Sequence, residues 1–302
     1  MAAKKPPGPK TPPKKGATEF GPTQRLQKVY ERGIREITGR VLLSSKKKPE
    51  QSYTDWLADL ARRSQEKDIQ DASELLAKRM IFQTQKTNWR TWREAASRSS
   101  RAQHLYQLLE AEMQGATGAR VRQLVRENAK LISSLPLEAA TMLTDEVRKA
   151  QQSGARPGTV AKMAQKRFPT LLRSRTHLIS RTETAKASTA LTQARCERLN
   201  VSFYQWETSK DGDRVRESHR NMHGVVVPWS QTPAPEALVG EKSTLGHYNA
   251  GECPNCRCLI IPILTLDDIQ FPARVYWNGA IQRMTKQAFK QIAVGLEGRD
   301  AA

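Results

Sequence analysis

The sequence predicts an α+β fold: an extended N-terminal helical region, followed by a long helix and a small strand-rich subdomain with a Cys/His cluster. Three observations predict it. Apolar residues recur at helical spacing from Gln24 to about Arg198. After Leu199 they alternate in short runs with period two, as half-buried strands do. Three of the four cysteines, Cys253, Cys256 and Cys258, fall within six residues. The chain of 302 residues divides by composition into a basic, partly disordered arm over 1–50, a helical region over 51–156, a domain over 157–265 and a C-terminal extension over 266–302.

The arm carries the electrostatic weight. Lys and Arg total 50 against 30 Asp and Glu, a net charge of +20, which excludes an acidic surface module. Residues 1–48 hold 13 basic and three acidic residues, so half of the excess lies in the first sixth of the chain. The opening stretch MAAKKPPGPKTPPKKG has five lysines, five prolines and no acid, a composition that cannot bury apolar surface and favours extended conformers. Lys4, Lys5, Lys10, Lys14 and Lys15 are therefore the candidate nucleic-acid contacts. Cations on a mobile arm gain free energy from a polyphosphate by releasing counterions, without reading sequence. The same charge also suits a solubilising or targeting tail. The start of the chain has no hydrophobic stretch of the kind a secretory signal needs, so synthesis and assembly are expected in the cytosol. The longest apolar run, Leu259-Ile260-Ile261 followed past Pro262 by Ile263-Leu264, is far short of the ~20 residues of a membrane span, and no membrane partner is expected.

The helical region shows amphipathic runs through Trp56, Leu57, Leu60, Leu75, Leu76 and Met80, and through Val121, Leu124, Val125, Leu131, Ile132 and Leu135. Gly115 to Gly118, Pro136, Ser153-Gly154 and Pro157-Gly158 punctuate it, which predicts several antiparallel helices. Lys86-Thr-Asn-Trp89-Arg90-Thr-Trp92-Arg93 interleaves aromatics with cations. That pattern suits phosphate or base contact, and equally suits tryptophans packed on a neighbouring helix beneath snorkelling arginines.

A second basic block over 157–198 has nine Lys or Arg against two Glu. It reads as two helices, Thr159 to Phe168 closed by Pro169, and about Thr170 to Leu199. Within the second lies Ile179-Ser-Arg181-Thr-Glu183-Thr-Ala185. Arg181 and Glu183, two apart on a helix, cannot face each other, so each needs its own partner. A buried polar anchor and a solvated basic face are both open readings.

Past Leu199, Val201 to Thr208 and Cys258 to Ile263 read as strands. Between them, the aspartates of Asp211-Gly-Asp213 can cap a short helix that carries His219 and His223 at i, i+4 and ends at Gly224. Cys253-Pro-Asn-Cys256-Arg-Cys258 can direct three thiolates at one tetrahedral ion, most plausibly zinc. The fourth ligand would come from His219, His223 or His247, with His219 the first choice; Cys196, on the long helix, has the character of an ordinary buried thiol. Reduced, partly buried cysteines tying a strand to its loop are the alternative. Disulfides suit neither a reducing cytosol nor the strain of a Cys-x-Cys bridge.

Taken in order, Ile179 to Ala185, the Trp206 strand, Asp213-x-x-Arg216-x-x-His219 with Gly224 and Pro228, and Cys-Pro-Asn-Cys-Arg-Cys resemble the phage Mu F-like head morphogenesis domain, the family of minor head proteins of tailed double-stranded DNA phages. The resemblance covers about residues 157–264. The family's usual ending is His-Pro-x-Cys-Arg-Cys, and Cys253 stands where that His would be, an exchange a soft metal site tolerates. The resemblance implies a minor capsid protein at or near the portal vertex, assembled in the host cytoplasm and carried in the virion. Its partners would be the portal protein, other head proteins and packaged double-stranded DNA, and it would not be an enzyme. Arg181, Glu183, Asp213 and Arg216 would then be structural, with Arg181 and Glu183 orienting the long helix against the strand-rich subdomain. Two other readings fit the residues: a zinc-knuckle nucleic-acid-binding protein, and a zinc-dependent hydrolase or nuclease with an open metal position and Asp213 or Glu217 as acid or base.

Overall fold

The fold follows from one long amphipathic rod and what packs on each end of it. The structure, a computed structural model, describes residues 20–97, 116–209 and 215–293. The candidate DNA-contacting lysines, Lys4, Lys5, Lys10, Lys14 and Lys15, and the motif residue Asp213 lie outside the described residues.

Helix α1 (Gln24–Ser44) starts where the Thr23 hydroxyl accepts from the Leu26 amide at 3.2 Å, and buries Tyr30, Ile34, Ile37 and Val41 along one stripe. Helix α2 (Tyr53–Gln65) is capped the same way by Ser52, and its Trp56 indole donates to the Ser45 carbonyl at 2.8 Å, pinning the turn between the two helices. Helices α3 (Lys67–Ser97) and α4 (Ala116–Gln152) add Ile69, Ile81, Ile132 and Leu135 to the same core. Helix α5 (Pro157–Arg198) completes it with Val160, Leu171, Ile179 and Leu191.

Two predicted breaks are not breaks. Pro136 lies inside α4 and Pro169 inside α5, so that Thr159–Phe168 and Thr170–Leu199 are one helix of 42 residues, about 63 Å long. A mid-helix proline removes one hydrogen bond and costs about 3 kcal/mol. Pro169 faces solvent beside an exposed Gln165, whose freed carbonyl water can serve, while its neighbour Phe168 packs edge-on against Trp56 at 5.2 Å between centroids. Pro136 sits between Leu135 and Ala139, both wholly buried. In each case burial on neighbouring helices outweighs the local penalty.

The C-terminal half of α5 keeps Ile179, Ala187 and Leu191 in the bundle core and turns another side to a subdomain built on a five-stranded sheet of order β3-β1-β2-β4-β5. Its strands are β1 (Phe203–Glu207), β2 (Val226–Pro228), β3 (Leu259–Pro262), β4 (Ala273–Trp277) and β5 (Ala280–Met284). All pairings are antiparallel except β2 with β4. The protein is thus α+β. Residues after 266, set apart by composition, supply β4 and β5 to this sheet, and a short helix α7 (Lys286–Ile292) whose Phe289 packs against Phe203 of β1.

β1 divides two cores by alternation. Phe203 faces a cluster with Ile263, Val275 and Phe289, whereas Tyr204 and Trp206 face one with Tyr248, Cys253, Cys256 and Cys258. A third cluster of Phe20, Trp92, Cys196, Leu199 and Val201 joins helices to sheet. Phe20 also bridges Ile260 at the β3 edge. Cys196 is fully buried there, its thiol pushed up by desolvation, in keeping with a packing residue. Where the loop before the cysteines meets α5, the Thr189 hydroxyl donates to the Ala250 carbonyl at 2.7 Å; Gly251, at φ +87°, comes so near that a Cβ would lie 2.6 Å from Thr189 Oγ1.

Candidate metal centre

The site is assembled from three short pieces of chain laid on α5. Helix α6 (Glu217–Met222) follows β1 and presents His219 inward, with Ser218 and Met222 also buried. The cysteine knuckle precedes β3, and between them a loop contributes Glu236 and Tyr248.

The knuckle is held by the Ile179–Ala185 motif. Arg181 Nη1 donates to Asn255 Oδ1 at 2.5 Å, and the Asn255 amide donates to Thr182 Oγ1 at 3.0 Å. Asn255 is left-handed, at φ +61°, a conformation that asparagine tolerates and that two side-chain hydrogen bonds here enforce. Arg181 also contacts His177 Nε2 at 2.7 Å, and His177 Nδ1 reaches Glu31 Oε2 at 3.2 Å. A polar chain therefore runs from α1 across α5 to the residue between Pro254 and Cys256. Glu183 departs from its expected place: its carboxylate turns into the bundle, pairs with Lys186 Nζ at 3.2 Å and is raised in pKa by its burial. It is two positions from Arg181 on the helix, so the side chains diverge as the 3.6-residue turn requires.

His219, Cys256 and Cys258 form one buried donor set, their ligand atoms all within 4.8 Å of one another. His219 Nδ1 lies 3.3 Å from Cys258 Sγ and 3.6 Å from Cys256 Sγ. With Zn–S of about 2.3 Å and Zn–N of about 2.0–2.1 Å, a tetrahedral ion has S···N edges of about 3.5 Å, so the spacing and the donor chemistry fit zinc. Cys253 falls outside that set. Its thiol accepts from Arg216 Nη1, while Arg216 Nη2 donates to the Pro254 carbonyl at 3.1 Å. Arg216 thereby grips the first half of the knuckle as Arg181 grips the second.

The protons of the cluster are displaced from their ordinary positions. A hydrogen bond from the Cys258 thiol, aided by the His219 ring, overcomes burial and brings Cys256 down to about 4. Cys258, as that donor and in the same dry setting, is pushed up. Burial disfavours the His219 cation, yet hydrogen bonds with Cys253 and Cys256 prevail and raise it to about 9. A thiolate beside an imidazolium is the metal-free form of a thiolate-imidazole ligand pair.

The other two histidines stand elsewhere. His223 caps the end of α6, with Nδ1 3.2 Å from Thr208 Oγ1 and 3.5 Å from Glu207 Oε2, and His247 Nδ1 contacts the Thr232 carbonyl at 2.8 Å. The i, i+4 pairing of His219 with His223 fails because α6 ends at Met222, which turns the second ring away. Glu236 and Tyr248 carry no sequence signal: they sit in a loop rich in Gly, Pro and Ser without periodicity. Yet Tyr248 Oη lies 2.9 Å from His219 Nε2 and donates to Glu236 Oε1 at 2.6 Å, and the Ser218 hydroxyl donates to the same oxygen at 3.2 Å. The Trp206 indole closes the site edge-on to the His219 ring, with centroids 5.6 Å apart.

Comparison with known proteins places this geometry. No solved structure matches the chain. An uncharacterized protein of Haemophilus influenzae is 30% identical over 145 residues, 48% of this chain. The match spans only 30% of that relative's length. Residues 141–261, from the second half of α4 through α5 to β3, match the family described as Phage Mu protein F like protein. That segment, which contains the Arg181 motif, α6 and the cysteine knuckle, is where the chain is similar to the family.

Proposed function

We propose that the protein is a phage minor head protein acting in head morphogenesis at or near the portal, in the virion, with non-specific electrostatic contact to packaged DNA and without catalytic activity. The observation that carries the reading is the Mu F-like match over 141–261, laid on a fold in which the motif residues hold a structural knuckle. Zinc is the proposed ion of that knuckle. His219, Cys256 and Cys258 would hold it, and its contribution would be cohesion between α6 and β3.

The DNA contact is supported by surface charge beyond the arm. From Lys78 to Arg93, α3 has five cations and no acid. Arg79, Lys86, Arg90 and Arg93 are exposed at i, i+7, i+11 and i+14, a line of about 21 Å on one face. Phe82, 50% exposed, flanks it, and the Arg93 guanidinium stacks on Trp89 at 4.6 Å. Lys162, Lys166 and Arg173 form a similar exposed row on α5. No helix among the described residues is long and apolar enough to cross a membrane.

The test of the head reading is co-expression with the portal and major capsid proteins of the same phage, followed by purification of the particles. Incorporation at a low, fixed copy number is expected, and exclusion from particles overturns the reading. The DNA contact is tested by the salt slope of binding to duplex DNA. Deleting residues 2–15, and separately Lys86→Glu with Arg90→Glu, should each flatten the slope for duplexes of any sequence. Unchanged slopes remove both surfaces from the account.

A further inference from the structure

We propose that Glu236 and Tyr248 are positioning residues that hold His219 with its proton on Nε2, so that Nδ1 is presented to a zinc-class cation beside Cys256 and Cys258. The inference deepens the structural-zinc reading above and rests on it. Glu236 Oε1 accepts two hydroxyl protons, from Tyr248 at 2.6 Å and from Ser218 at 3.2 Å. The Tyr248 proton is thus committed to Glu236. The contact of 2.9 Å between Tyr248 Oη and His219 Nε2 then requires the ring nitrogen to be the donor. A metal-bound imidazole is neutral and carries one N–H, so with that proton on Nε2 the lone pair that meets the ion falls on Nδ1, the atom that lies 3.3 Å and 3.6 Å from the two sulfurs.

Burial makes the arrangement directional. Glu236 and Tyr248 are each 6% exposed and His219 is 3% exposed, so water does not compete for these bonds. The Trp206 and Tyr248 rings flank the imidazole, with centroids 5.6 Å and 5.8 Å from it, and their packing favours the ring orientation in which Nε2 meets Tyr248 and Nδ1 meets the sulfurs. Metal-ligating histidines need this outer support, and removing it ordinarily weakens metal binding about 10–100-fold. The relay also joins the loop that carries Glu236 and Tyr248 to α6, making three chain segments interdependent once an ion is bound.

The experiment is zinc binding to the full chain, measured by competition with a chromophoric chelator, alongside the ring ¹⁵N shifts of His219. Tyr248→Phe keeps the ring and its packing and removes only the hydroxyl. It should weaken zinc binding 10-fold or more and abolish the single-tautomer signature, with a metal-coordinated Nδ1 and protonated Nε2, that the parent displays. Glu236→Gln, which can donate as well as accept, should weaken binding by less than Tyr248→Phe does. His223→Ala, off the site, should bind as the parent does. Should Tyr248→Phe lose its fold, Glu236→Gln carries the test. Parent-like zinc affinity in both variants overturns the relay and leaves the zinc clamp standing. A parent chain that binds no zinc overturns the clamp and the relay together, while leaving the head-assembly reading to its own test.

Discussion

The helical bundle and the sheet subdomain share α5 but are held together differently. The bundle's core is a continuous set of aliphatic and aromatic side chains from five long helices, with Ile34, Leu60, Ile81, Ile132 and Leu135 fully out of water. The subdomain has strands of three to five residues, and the core on its α5 side contains three cysteines and three tyrosines, with a histidine and a glutamate against it. Long amphipathic elements bury enough apolar area to be stable by packing alone. A few short strands do not, and small folds of that kind draw on staples instead. The polar clamps on the knuckle, from Arg181, Thr182 and Arg216, are the staples visible in the geometry, and the proposed ion would be another.

That contrast can be broken at several points. The largest effect is expected from Cys256→Ser or Cys258→Ser. In small zinc modules metal binding supplies about 10–16 kcal/mol of folding free energy, so the region after Val201 should lose protection from hydrogen exchange while α1 to α4 retain theirs. Equal protection in mutant and parent would show that the knuckle stands on packing alone. Next comes Leu60→Ala, which empties a fully buried site in the bundle and should cost about 2–5 kcal/mol in denaturant melts while zinc stoichiometry stays the same. A parallel loss of zinc would mean that the two regions are one cooperative unit.

Gly251→Ala probes the seam between them. A Cβ at φ +87° that meets Thr189 Oγ1 at 2.6 Å should cost about 1–3 kcal/mol, and Thr189→Ala in the same chain should restore part of it in a double-mutant cycle. The smallest effect is expected from Glu183→Gln. Burial raises the folded pKa of this carboxyl above its unfolded value, so the folded state binds the proton more tightly and stability from this group increases as pH falls through the folded pKa. Glutamine removes that dependence and should change stability at neutral pH by under about 1 kcal/mol, because the ion pair with Lys186 it sacrifices is half-exposed. A steeper acid response in the variant than in the parent would reverse the assignment.

The two regions also differ in how much of them can be read from sequence. Helical periodicity announces α1 to α5, because burying one stripe of a long helix leaves a repeated mark every three or four residues. The cysteine triplet announces the knuckle, and the helix position of His219 makes it a ligand candidate. Pro136 and Pro169 mislead because local propensity is a small term beside the packing of two neighbouring helices. β2 is three residues long and has no period to detect. The β4–β5 hairpin did carry a signal, since Asn278-Gly279, at φ +50° and +82°, is the two-residue turn that such strands prefer. Glu236 and Tyr248 left none: a relay made by loops far apart in sequence exists only once the chain has folded.

The continuity of α5 bears on the order in which the chain can fold as it is made. When the ribosome has released residues up to about 200, everything that the bundle core uses is already outside the exit tunnel, from Tyr30 to Leu191. The side of the same helix that carries Thr189 must then wait for β1, for the loop and knuckle some 50 residues later, and at last for β4 and β5. During that interval the finished rod is a template with one side occupied, and the sheet is laid down on a surface that is already rigid.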